Sequence, residues 1–230
     1  MPEIPPGTVL VTGAASGLGA AVAAAVSEVG GRPLALDRVP VEGMPHEVVD
    51  LADTRAAEQA VRRLVDGAGG TLDAVVTAAG TDMCGALVDV DGDDWDRVVM
   101  VNLLGTAAVV RACLPYLLRS GGKVVTVAST LGHRVCPDAT AYCASKFGIV
   151  GFTRALQAET KGQVGVTLLT PGGMSTAFFD DRAEQYKPGP DAKLNRPEDV
   201  AASVVFALRQ PAGCELKELV VASAWESSWP

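Results

Sequence analysis

The chain has 230 residues, 48% of them apolar and 20% charged. That excludes a disordered chain and allows one large domain with a sizeable core. The net charge of −8 comes without any basic run, so the chain is not built to bind a nucleic-acid backbone. Small anionic ligands remain open to it, because backbone N–H groups bind them locally. The N-terminal MPEIPPG is short, polar and proline-rich, with none of the positive charge of a targeting segment. The most apolar stretch in this reading, Ala20 to Val26, falls far short of the roughly 20 residues of a membrane span. Cys84, Cys113, Cys136, Cys143 and Cys214 include no Cys-x-x-Cys pair, and His46 and His133 are the only histidines. The cysteines read as buried or partly exposed thiols of a reducing cytoplasm, and two histidines leave no His-based metal site expected; no membrane partner is expected either.

Thr8–Thr12 is a β-branched apolar run closed by Gly13 and is predicted to be a buried strand. A helix follows from Gly17 to Val29, stopped by Gly30-Gly31. Pro33–Asp37 and Glu47–Asp50 are the next strands, then a helix over Thr54–Asp66 capped by Asp53 or Thr54. Leu72–Thr77 is a strand. Asp93 to Leu118 is a long helical region that Pro115 should bend or break. Lys123–Ala128 is a strand, Ala139–Thr160 a helix and Val164–Leu169 a strand. Pro197–Arg209 is a helix with proline in its first turn, and Leu219–Val221 is a last short strand. The strands are continuous apolar runs that alternate with helices, the pattern of an α/β fold: a doubly wound parallel sheet covered on both faces. The whole of 1–230 reads as one such domain. Its irregular stretch, about 176–196, holds Pro188-Gly189-Pro190 and has the length of a binding loop.

The first strand runs into Thr12-Gly-Ala-Ala-Ser-Gly-Leu-Gly19 and then into a helix. Gly13 permits the turn, Gly17 the approach of a pyrophosphate and Gly19 close helix packing. Ser16 can donate a hydroxyl, and Leu18 completes the loop at the positive helix end. Asp37 closes the second strand, where a ribose-binding carboxylate belongs. That carboxylate favours NAD(H) and repels a 2′-phosphate. Arg38 beside it keeps NADP(H) open.

Ser129 stands at the carboxyl end of KVVTVA, the edge at which open α/β sheets bind ligands. Tyr142 and Lys146 are spaced i, i+4 and so share one helix face. A free phenol, with a pKa of about 10, is a poor base at neutral pH, and a nearby ammonium would bring it down. Tyr142 could then exchange a proton with an alcohol or carbonyl oxygen that Ser129 also holds.

With these residues in place the sequence resembles the short-chain dehydrogenase/reductase family from Thr8 to about Val221. The TGAASGLG loop matches the family's T-G-x-x-x-G-x-G, and Asp50-Leu51 matches its adenine-contacting pair. Asn102 in VNLLG matches the active-site asparagine, and Ser129, Tyr142 and Lys146 complete a tetrad. The resemblance implies that Tyr142 is the acid/base, Ser129 orients the reacting oxygen and Lys146 binds the nicotinamide ribose. Asn102 would hold a water in a proton relay. Ala78, Ala79 and Gly80 would contact the cofactor by backbone. Pro171, Gly172, Met174 and Thr176, in PGGMST, would hold the nicotinamide carboxamide. It also implies a homodimer or homotetramer.

Two departures stand out. Thr77-Ala78-Ala79-Gly80 replaces the family's Asn-Asn-Ala-Gly, and VVASAWESSWP, residues 220–230 with the atypical tail 222–230, replaces its Val-Asp-Gly-Gly ending. The leading reading is an NAD-dependent enzyme acting on a secondary alcohol or ketone. One rival is an NADPH-dependent 3-oxoacyl or polyketide-type reductase. The other is a nucleotide-sensing protein without chemistry. Met83, Cys84, His133, Cys136, Met174, Phe178 and Phe179 read as pocket walls, a mixture that suggests a modest, mainly apolar compound, with His133 as a polar wall residue. Trp225 and Trp229, in a polar tail, are expected to pack on a neighbouring subunit.

Overall fold

The computed structural model describes residues 4–229. Residues 1–3 of the N-terminal reading and Pro230 of the tail lie outside them. Seven strands form one parallel sheet: β1 (Thr8–Thr12), β2 (Arg32–Asp37), β3 (His46–Val48), β4 (Ala74–Thr77), β5 (Lys123–Val127), β6 (Gly165–Pro171) and β7 (Glu218–Val221). Their order is β3-β2-β1-β4-β5-β6-β7. The crossovers carry α1 (Gly17–Glu28), α2 (Thr54–Gly67), α3 (Gly92–Val99), α4 (Thr106–Ser120), α5 (Thr140–Glu159) and α6 (Pro197–Leu208).

Alternation along the strands explains the apolar runs. Leu10, Leu34, Val75, Val124 and Val166 face one way, into a core shared with α2, α4 and Leu156 of α5. Val9, Val11, Ala35, Val76, Val125 and Leu169 face the other way, against α1 and α6. Each fully buried Leu or Val contributes roughly 1.5–3 kcal/mol, so neither face can be left open to water.

The local signals act as the sequence suggests at several ends. Asp53, not Thr54, caps α2, its Oδ1 accepting the Arg55 and Ala56 N–H groups. Lys123, at the start of β5, closes α6: its ammonium donates to the carbonyls of Leu208 at 3.0 Å and Ala207 at 3.4 Å, and to that of Gln210. This places a cation on the negative end of that helix.

Two expectations are corrected. Pro115 does not break the long helix, because α4 runs through it to Ser120. Pro115 is exposed, and so is Arg111 one turn earlier, on the outer side where water can take the freed carbonyl. The irregularity lies upstream, in a wide π-helical segment, Met100–Gly105, between α3 and α4. Second, among the described residues one continuous stretch, Gly92–Ser120, 29 residues, is long and apolar enough by length and composition to cross a membrane, and the reading of Ala20–Val26 passed over it. The Gly92–Ser120 stretch directs Val98, Val101, Val109, Cys113 and Leu117 into the cores, as a central helix does.

Candidate active site

The carboxyl ends of β1, β2 and β4 open onto a cleft lined by Gly13, Ser16, Asp37, Asp50, Leu51, Ala79 and Gly80. Gly13 has φ +70°, and a Cβ there would sit 2.8 Å from the Ala79 Cα. A Cβ on Gly19 would collide with the Gly13 carbonyl oxygen, so only glycine lets α1 begin this close to β1. Ser16 is the N-cap of α1 but makes no capping bond with its side chain, and no acid occupies the first turn. The positive end of a 12-residue helix therefore faces the cleft with no acid in its own first turn. Leu18 and Ala78 turn their side chains into the α1 core face.

Asp37 lines the cleft with Oδ2 accepting the Ala15 N–H at 2.9 Å, which ties β2 to the glycine loop. Arg97 of α3 also lines it and donates to Asp50 Oδ2 at 2.7 Å. Burial would raise the Asp50 carboxyl, but the Ala52 N–H and Arg97 hold it below its ordinary value. The sequence reading missed Arg97; only the packing of α3 beside the Asp50 loop brings it there. At the Thr77-Ala78-Ala79-Gly80 departure, the Thr12 hydroxyl accepts the Ala79 N–H at 3.0 Å. The Thr77 hydroxyl is buried with no hydrogen-bond partner among the described residues.

Asn102, Ser129, Tyr142 and Lys146 come together at the ends of β4 and β5. Asn102 lies in the π-helical segment, is 1% exposed and closes a ring with the Thr81 backbone. Its Oδ1 accepts the Thr81 N–H at 2.8 Å and its Nδ2 donates to the Thr81 carbonyl at 2.9 Å. Nδ2 also donates to Ser145 Oγ at 3.0 Å, joining the segment to α5. π-Helical turns of this kind often mark functional sites.

Lys146 is buried, donates to the Val127 carbonyl at 2.9 Å and lies 5.6 Å from the centre of the Tyr142 ring. Burial brings its ammonium down to about 8, with the Asp82 carboxylate pulling the other way. Burial pushes the Tyr142 phenol up to about 12. The Ser129 hydroxyl and Arg182 pull it down, and Asp82 and Cys143 push it further up. The expected lowering of the phenol by Lys146 is thus reversed in the chain alone: burial outweighs every nearby charge.

The loop after β6 starts with Gly172-Gly173 and is pinned where Ser175 N–H donates to Asn195 O and Asn195 N–H to Gly173 O, both at 2.9 Å. Met174 bridges Asn195 and packs on the α1/α6 core face, and Thr176 caps a short turn, Ala177–Phe179. Phe178 stacks against Tyr142 with ring centres 5.8 Å apart. Cys84 and Cys136 line a neighbouring cavity together with Asp82, Asp138, Arg182 and Tyr186. The wall is therefore more polar than the cysteines and phenylalanines suggested. Met83 is 38% exposed. His133 does not stand free in the wall: its Nε2 is 3.1 Å from Thr170 Oγ1, and Trp229 packs edge-on against its ring at 5.3 Å. Trp229 thus folds onto its own chain instead of waiting for a neighbour, while Trp225 is 75% exposed.

The family model for short chain dehydrogenase matches residues 7–187. The chain belongs to the short-chain dehydrogenase family. It is an NAD(P)-dependent oxidoreductase of that family. This short-chain dehydrogenase is 30% identical over 225 residues to an uncharacterised oxidoreductase of Staphylococcus aureus, covering 92% of this chain and 95% of that one. It is 31% identical over 232 residues to the glycine betaine reductase of Emericella nidulans, covering 92% of this chain but only 18% of that protein. The alcohol dehydrogenase of Thermococcus sibiricus, solved with 5-hydroxy-NADP, superposes with a TM-score of 0.84 at 24% identity, covering 95% of this chain and 97% of that one. Aldohexose dehydrogenase of Thermoplasma acidophilum gives 0.84 at 22% identity, covering 94% and 92%. Both of these likenesses are of fold.

Proposed function

We propose that the chain transfers a hydride between NAD(H) and a secondary alcohol or ketone, with Tyr142 as the proton donor and acceptor. The observation that carries this reading is the convergence of Tyr142, Lys146, Ser129 and Asn102 beside a cleft whose glycine loop and helix end fit a dinucleotide. The α1 N-terminus would hold the pyrophosphate, through Gly13, Ser16, Gly17, Leu18 and Gly19. Asp37, Asp50 and Leu51 would hold the adenosine, and Ala78, Ala79 and Gly80 would supply backbone contacts. Lys146 and Tyr142 would meet the nicotinamide ribose. Pro171, Gly172, Met174 and Thr176 would meet the carboxamide. When bound, the nicotinamide gives or takes the hydride.

A phenol held at about 12 is protonated at neutral pH, the state that donates to a carbonyl oxygen. Ser129 steadies that oxygen as charge develops on it. Lys146, held near 8, can pass a proton onward, and Asn102 anchors the segment beside it. Buried among Phe178, Ala139 and Ala141, the phenol is shielded from bulk water, so its proton goes to the bound oxygen.

For NAD(H) the support is Asp37, whose carboxylate lines the cleft on the Ala15 N–H. A second reading, NADP(H), rests on Arg38 and Arg97 lining the same cleft, and on the NADP analogue in the Thermococcus neighbour. Assembly as a dimer or tetramer belongs to the same proposal; Leu104 and Phe147 stand 43% and 44% exposed beside α4 and on α5. The test is a panel of alcohols and ketones followed by absorbance of the reduced cofactor, run with NAD(H) and NADP(H). Turnover by the wild type supports the reading. Cofactor binding without turnover on any member of the panel revives the sensor alternative.

A further inference from the structure

The segment after β7 folds back across the two loops on which the proposed chemistry depends. Glu226 is its centre. Its Oε2 accepts the Gly173 N–H at 2.8 Å, just beyond β6. A Cβ on Gly172 would meet the same oxygen, so the carboxylate sits close against this backbone. Glu226 Oε1 accepts from the Ser228 hydroxyl at 2.7 Å and the Ser228 N–H at 3.1 Å. Ser228 Oγ in turn lies 2.6 Å from Thr130 Oγ1, and Thr130 follows Ser129. Trp229 then seals the connection against His133, which reaches Thr170 of β6. One carboxylate thus spans from the loop after β6 to the turn after β5. Burial opposes its charge, but the Ser228 and Gly173 hydrogen bonds hold it below the ordinary carboxylate value, so it is ionised at neutral pH.

We propose that Glu226 is a positioning residue, fixing the Gly172–Gly173 backbone against the Ser129–Thr130 turn so that the nicotinamide half of the cofactor and Tyr142 meet in one register. This rests on the function proposed above. The adenosine half would lie on Asp37 and Asp50, in a cleft that neither Gly173 nor Glu226 lines, and would make no use of the brace.

That separation gives the test. Glu226→Ala and Glu226→Gln are compared with wild type for dissociation constants of NADH and AMP, and for hydrogen exchange at the Gly173 amide. Expected for Glu226→Ala are Gly173 exchange faster by at least tenfold, NADH binding weakened about tenfold and AMP binding unchanged. Glu226→Gln, which keeps one acceptor oxygen for the Gly173 N–H, should recover most of both effects. If Glu226→Ala does not fold, the Gln variant is read against wild type for a smaller change of the same pattern. Equal losses for NADH and AMP would show a general stabilising role and overturn the proposal, as would unchanged NADH binding with faster Gly173 exchange. A wild type that binds neither NADH nor NADPH would sink the function reading, whereas the exchange rate at Gly173 still reports on the Glu226 contact.

Discussion

Arg182 Nη2 lies 2.5 Å from Asp82 Oδ2, joining two segments 100 residues apart in sequence. The Asp82 side chain is only 4% exposed. Arg182 also stacks on Phe179 and Phe178, 4.6 and 5.2 Å from their ring centres. The pair fastens the loop after β6 across the loop after β4. Asp82 raises the Tyr142 phenol and Arg182 lowers it, so the position of this loop and the acidity of the phenol are linked.

Removing Arg182 alone leaves a buried carboxylate without its partner, a change that commonly costs 3–5 kcal/mol and less where, as here, one partner is partly exposed. Arg182→Met is expected to lower kcat/KM at least about tenfold and to move the alkaline limb of the pH–rate profile upward. Asp82→Asn added to it should bring the limb back down. A profile that does not move in the single variant would separate this pair from the phenol.

Tyr142→Phe keeps the ring in contact with Phe178 and removes only the hydroxyl. Turnover should fall by about 10²–10⁴, the usual contribution of a positioned acid/base, with little change in the dissociation constant of NADH. Stopped-flow hydride transfer and fluorescence titration read the two quantities separately. Retention of more than about a tenth of wild-type kcat would remove Tyr142 from the proton transfer.

Lys146 makes a signed prediction about stability. Its folded value is about 8 against an ordinary 10.5. Below pH 8 the folded and unfolded chains both carry the charge, and the folded one bears the burial cost. Between 8 and 10.5 the unfolded chain holds the proton longer, so folded stability rises with pH. Lys146→Met should therefore be more stable than wild type at pH 7, and the gap should close by on the order of 3 kcal/mol as pH approaches 10. The raised Tyr142 phenol is common to both proteins and cancels in the comparison. Urea melts across this range measure the difference.

At the other end of the cleft, Asp37→Ala removes the carboxylate and frees Arg38 to meet a 2′-phosphate. The ratio of kcat/KM for NADPH to that for NADH should rise at least about tenfold. A wild-type enzyme already faster with NADPH would overturn the assignment of Asp37.

The central strands were legible because both sheet faces are covered there, so they appear as largely apolar runs, whereas the edge strand β3, His46–Val48, is mostly exposed. β1, Thr8–Thr12, ends where the sequence says it does. The glycine loop and the Tyr142/Lys146 spacing were legible for a related reason, since they depend on neighbours one turn away. What escaped depends on distant partners. The π-helical segment exists where Asn102 meets Thr81, so no local rule could move the irregularity away from Pro115. Arg97 finds Asp50, Arg182 finds Asp82 and Glu226 finds Gly173 across separations of 47, 100 and 53 residues. Trp229 read as an interface residue because a short polar tail after the last strand leaves little chain to fold back, and its partner His133 lies far away in sequence.

The ammonium that Lys123 lends to the end of α6 divides the labour within the molecule. It stands at the amino end of β5, opposite the cleft, and locks a helix to the sheet there with donors that no cofactor or substrate competes for. The foundation is thus sealed independently of the rim. Residues 176–196 hang between β6 and the opposite, amino end of α6, pinned at Asn195 and tied across to Asp82 by Arg182. A different loop grafted there would leave the Lys123 fastening intact but would have to replace the Arg182–Asp82 pair and the Phe178–Tyr142 contact at the rim.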